Sequence, residues 1–163
     1  MANFSAPVLY NAVTTTLKTA GFLWIGGTRT PAFRTQIFEI EMGQTAAYAS
    51  TDAPCQWDLS RAATPTLAGS TVAANLLDLA DYVAGTLFIN AATAEPTYTT
   101  AGLGLNLKQW GINQRGASRW RALDDGDNIL IPATVGVGIG LRTASISSGF
   151  AGSAIGTIGF QER

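Results

Sequence analysis

Arg34-Thr35-Gln36-Ile37-Phe38-Glu39-Ile40-Glu41-Met42-Gly43 alternates along its length, and that alternation decides the fold class. Arg34, Gln36, Phe38, Ile40 and Met42 fall on one side of an extended chain, and Thr35, Ile37, Glu39 and Glu41 on the other. A period of two is the signature of a half-buried β-strand, and Gly43 closes it.

Working outward, the same pattern recurs. Val13 to Lys18 alternates, Gly21 to Trp24 is apolar and ends at Gly26-Gly27, and Cys55, Trp57 and Leu59 alternate with Gln56, Asp58 and Ser60. This third run predicts a strand that buries Trp57 with Cys55 beside it. Further strands are predicted at Thr86 to Ile89, Gly102 to Trp110, Ser118 to Leu123, Asn128 to Pro132, Gly136 to Ala144 and Gly156 to Glu162, with a turn at Asp124-Asp125-Gly126. Between them, Leu76, Leu77, Leu79, Ala80 and Val83 fall at helical spacing, which predicts one short helix over Asn75 to Val83. Many short strands with turn residues between them predict an all-β chain, an antiparallel sandwich or barrel with one short helical insertion. Residues 1 to 12 contain Pro7 and no periodicity, so they read as an extended N-terminal arm before a single domain over 13–163.

Composition narrows function. With 163 residues the chain suits one domain with a sizeable core. Charged residues are 13% of the chain, against about 25% in an average soluble domain, so the surface carries little to keep neighbours away. A net charge of −1 disfavours nucleic acid and anionic membranes as partners. No segment approaches the ~20 apolar residues of a membrane span, and none resembles a secretory signal, so synthesis in a host cytoplasm is expected.

The chemistry is equally restricted. No histidine is present, which removes the commonest general base and metal ligand, and the lone Cys55 reads as a small buried hydrophobe. Glu39 and Glu41 share a strand face as a paired-acid site would, yet strand alternation alone places them together. Asp124, Asp125 and Asp127 miss the spacing of a calcium loop. Lys108, Arg115, Arg119 and Arg121 interleave with Trp110 and Trp120, the pattern of a single-stranded nucleic-acid site, but ion pairs around core tryptophans account for the same residues. The expectation is therefore no enzyme, no cofactor and no metal.

Gly136, Gly138 and Gly140 recur at period two and strip one strand face of side chains. Such a face admits either another subunit or large aromatics of the same chain. From Pro132 to Gln161 the only charged residue is Arg142, and a run so poor in charge suggests self-association. Gly136, Gly138, Gly140 and Arg142 are thus candidate contact residues, together with Phe4 and Tyr10 as anchors of the arm on a neighbour.

The strand at 34–43, Trp57-Asp58-Leu59-Ser60-Arg61, Glu95-Pro96-Thr97-Tyr98, Ile129-Leu130-Ile131-Pro132-Ala133 and the segment Gly159-Phe160-Gln161-Glu162 together resemble the jelly-roll decoration (cement) proteins of tailed bacteriophages. The resemblance implies a jelly-roll-like sandwich, a homotrimer on the capsid exterior of a virion, and a bridging contact to the major capsid protein. Two other expectations compete with it: a carbohydrate-binding sandwich with Trp110, Trp120 or Tyr98 as its platform, and a jelly-roll subunit that assembles a shell or fibre by itself.

Overall fold

In the computed structural model, which describes residues 2–10, 13–25, 33–46, 53–64, 70–78, 84–90, 94–98, 106–124, 126–134, 136–146 and 152–163, the alternating segments become thirteen strands. They are β1 (Ala2–Tyr10), β2 (Lys18–Ile25), β3 (Thr35–Ala46), β4 (Pro54–Thr64), β5 (Ser70–Val72), β6 (Asn75–Leu76), β7 (Thr86–Asn90), β8 (Thr97–Tyr98), β9 (Asn106–Asn113), β10 (Ser118–Arg121), β11 (Ile129–Ile131), β12 (Gly138–Ser145) and β13 (Gly152–Glu162). The first sheet runs β10-β3-β13-β1-β6 with β11 also on β3, and the second runs β5-β7-β2-β12-β4-β8 with β9 also on β4. Neighbours in both sheets are antiparallel.

The chain crosses repeatedly between sheets: β1 and β3 lie in the first, β2 and β4 in the second, β10 and β13 in the first and β12 in the second. The long strands therefore form the quartets β1-β13-β3-β10 and β2-β12-β4-β9, with the first and last strands side by side. This is the double Greek key of a jelly roll. The fold is an all-β sandwich, as the alternation predicts.

The inner faces meet in one core. Phe4, Val8, Ile37, Ile40, Met42, Ile158 and Phe160 from the first sheet face Leu23, Cys55, Trp57, Leu59, Phe88, Ile139 and Leu141 from the second. Phe4 stacks on Phe160 with ring centroids 5.2 Å apart. Trp57 is fully buried, and its indole Nε1 finds no partner there.

Several local expectations are corrected. β3 holds a bulge: Gly159 lies opposite Glu39 while Phe160 lies opposite Ile37, so Phe38 is the extra residue. The bulge reverses the alternation, and Ile37 joins Ile40 and Met42 in the core while Phe38 turns outward. Residues 13–17, although alternating, are not a strand. Thr16 N–H donates to Thr14 Oγ1 (3.3 Å), a local side-chain bond that competes with a sheet ladder. The predicted helix is absent at its start, because Asn75–Leu76 pair with β1 as strand β6, while residues 79–83 lie outside the described residues. The N-terminal segment is extended but is no free arm: β1 is held between β13 and β6, with Ala2, Phe4, Ala6 and Val8 buried. Its alternation is carried by small and aromatic residues, which is why it reads as aperiodic in sequence.

Candidate functional site

The six candidate contact residues do not form one surface: Gly138, Gly140 and Arg142 share one face of β12, and Phe4, Tyr10 and Gly136 lie off it. Phe4 lies in the core and Tyr10 is half-buried at the end of β1, its hydroxyl pKa raised by burial and by the Glu95 charge. Gly136 occupies the turn before β12 at φ 83°, a left-handed conformation that favours glycine. Gly138 and Gly140 are covered from within the chain. A Cβ at Gly138 would sit 2.5 Å from the Phe22 ring and 2.4 Å from the Leu23 carbonyl oxygen, and one at Gly140 would sit 2.1 Å from Tyr98 Oη. Of the two uses open to a glycine-lined face, this one takes up the chain's own aromatics. Phe22, Trp24, Ala62 and Ile89, with Tyr98 against them, form a second small core on the outer side of the second sheet.

Arg142 belongs to that same face. Its Nε donates to Asp58 Oδ1 (2.7 Å), and its Nη2 to Asp58 Oδ2 (3.0 Å), Ser60 Oγ (2.9 Å) and Asn106 Oδ1 (3.3 Å). Asp58 is fully buried, so this forked pair compensates a carboxylate that water cannot reach. The guanidinium also lies 4.3 Å from the centre of the Tyr98 ring. Tyr98 Oη meets Thr19 Oγ1 at 2.5 Å, and Glu95 accepts from Thr19 N–H (3.1 Å) and Oγ1 (2.6 Å). Burial raises the Tyr98 hydroxyl pKa well above its ordinary value, with Glu95 and Asp58 adding to the rise against the Thr19 hydrogen bond and Arg142. The cluster is a clamp that holds β8 over the glycines of β12.

The outer face of the first sheet is different. Leu9 and Ile155 are register partners on β1 and β13 and remain exposed, beside Pro7 and Thr157. A shallow cleft of about 500 Å³ opens next to them, lined by Glu41, Gly43, Ala117, Arg119, Ile155 and Thr157 among others. Glu39 and Glu41 do share this face, but Arg119 ion-pairs with both, at 3.3 Å to Glu41 Oε1. The hydrogen bond to Glu39 and the Glu39 charge raise the Arg119 pKa. The two glutamates thus share one arginine between them. Leu9 and Ile155 escape the sequence reading because each sits one residue from a buried aliphatic partner, Val8 and Ala154, and only the strand register tells which side is which.

The tryptophans of β9 and β10 pack within the chain. Lys108 Nζ lies 4.9 Å from the centre of the Trp120 ring, and Trp110 and Trp120 are half-buried against the main core. Asp124 makes the predicted turn, its Oδ1 accepting from Gly126 N–H (2.7 Å). Among the described residues no group of three or more metal-ligating side chains occurs, and no helix is long and apolar enough to cross a membrane. No family model, curated protein or solved structure matches this chain.

Proposed function

We propose that this chain is a structural subunit of the decoration (cement) type, self-associating as a trimer on the exterior of a tailed-phage capsid and bridging subunits of the major capsid protein. The observation that carries the reading is the exposed cross-strand pair Leu9 and Ile155 on the open face of the first sheet. A second copy of this chain is the occupant assigned to that face. Arg119 beside Glu39 and Glu41 offers both signs of charge at its edge, so two copies can meet without like-charge opposition. The sparse charge of the whole chain, 13% of residues, favours contact over solvation. The resemblance to jelly-roll decoration proteins supplies the virion.

A sugar platform at Trp110, Trp120 or Tyr98 has less support. Tyr98 is clamped against Gly140 and Arg142, and Trp110 and Trp120 pack against the main core.

Sedimentation of the purified chain, followed by co-sedimentation with expanded phage capsids lacking their decoration protein, tests the proposal. The expected result is a discrete trimer that binds shells, burying more than ~1,200 Å² in each stable contact. A monomer without shell affinity overturns it. Closed particles formed by the pure protein would instead make it a shell-building subunit.

A further inference from the structure

The bulge in β3 has a product on the outer face. It places Phe38 and Glu39 outward in succession, and Phe38 lies over Gly159, where a Cβ would stand 2.9 Å from its ring. Bulges commonly re-aim a side chain beside a site. Here Phe38 borders a pocket of about 330 Å³ whose other lining includes Asn3, Arg121, Asp124, Asn128 and Gln161.

The polar rim is pre-arranged. Gln36 Oε1 accepts from both Gln161 Nε2 (2.5 Å) and Asn128 Nδ2 (3.4 Å), which fixes the amide orientations and leaves Gln161 Oε1 as an acceptor. Gln161 is only 9% exposed. Asp124 uses Oδ1 on the turn N–H groups of Gly126 and Asp127, leaving Oδ2 open. Arg121 lies directly opposite Glu39, but Arg119 has taken that carboxylate. The Arg121 guanidinium therefore makes no hydrogen bond or ion pair among the described residues.

We propose that this pocket is a saccharide-binding site, with Phe38 as the ring platform and Arg121, Asn3, Asp124 and Gln161 as the hydrogen-bonding rim. A sugar presents an apolar C–H face and hydroxyls that both donate and accept, matching a ring beside mixed amide, carboxylate and guanidinium groups. A nucleic-acid phosphate would meet the Asp124 carboxylate as a like charge, and a lipid chain would meet too polar a wall. The site is independent of the trimer and of any shell.

Calorimetric titration of the full chain with cellotetraose, chitotetraose and tetragalacturonate tests it, with acetate as the probe for a bare carboxylate. At least one oligosaccharide binds with a Kd on the order of 1 mM, as suits a small open pocket. Phe38→Ala weakens that binding by about tenfold or more, the usual scale for loss of one ring stack. Arg121→Ala and Asn3→Ala, both exposed and so sparing of the fold, weaken it as well. Binding of none of the three oligosaccharides, equal binding by all three variants, or acetate binding as tight as the best sugar would each overturn the proposal.

Discussion

The outer faces of the two sheets solve opposite problems. That of the second sheet is closed by the chain itself: Phe22 and Tyr98 fill the space over Gly138 and Gly140, and Arg142 and Asp58 pair where solvent is excluded. That of the first sheet stays open, with Leu9 and Ile155 in solvent and a pocket at each end of β10. Poverty of side chains and readiness for a partner are thus different properties. The glycine-lined face of β12 is covered by the chain itself, and the surface left for partners lies on β1 and β13.

Substitutions that separate the two faces sharpen the contrast. Arg142→Met should have the largest effect, a loss of about 3–5 kcal/mol, because it strands the Asp58 carboxylate inside the protein. Urea melts measure it, and a loss below about 1 kcal/mol would mean that the second face admits water. Gly138→Ala should cost about 1–3 kcal/mol, since the new methyl meets the Leu23 carbonyl and cannot be relieved by a rotamer change. Gly140→Ala should cost less than Gly138→Ala if Tyr98 can swing away, and the difference between the two reads how firmly β8 is clamped.

Alkali acts on the same face. The folded-state pKa of Tyr98 lies above its ordinary value of 10.0, so the stability it carries is complete below pH 10 and is lost as pH rises towards the folded value. The slope is at most about 1.4 kcal/mol per pH unit, and Tyr98→Phe should flatten it while costing about 1 kcal/mol at neutral pH for the lost Thr19 bond. Melts at about pH 9 and about pH 11 provide the comparison. On the open face, Leu9→Glu should change stability by no more than about 0.5 kcal/mol and yet dissolve the self-association seen by sedimentation. A large loss of stability with association intact would reverse the roles of the two faces.

How much was legible follows from what sequence alternation encodes. The strand at 34–43, the burial of Cys55, Trp57 and Leu59, and the all-β class all rest on local side-chain period and were readable. The parity of β3 was not, because a bulge is set by the partner strand, and one extra residue moved Ile37 inward and Phe38 outward. The pairing of Arg142 with Asp58 joins residues far apart in sequence, so Arg142 looked like an isolated cation. Asn75 and Leu76 carried helical spacing, but the free edge of β1 claimed them for a ladder.

The adjacency of β1 and β13 also governs how the molecule comes into being. Ala2 faces Glu162 and Tyr10 faces Ala154, so the first strand meets its longest partner only across nearly the whole chain. During synthesis β1 must wait, its apolar side unsatisfied, until β13 has emerged. Such distant pairing makes folding slow and leaves an adhesive edge exposed in the interval. Pro7, which offers no backbone donor on the opposite edge of β1, and the polar Asn3 and Ser5 make the waiting strand a poorer template for its neighbours.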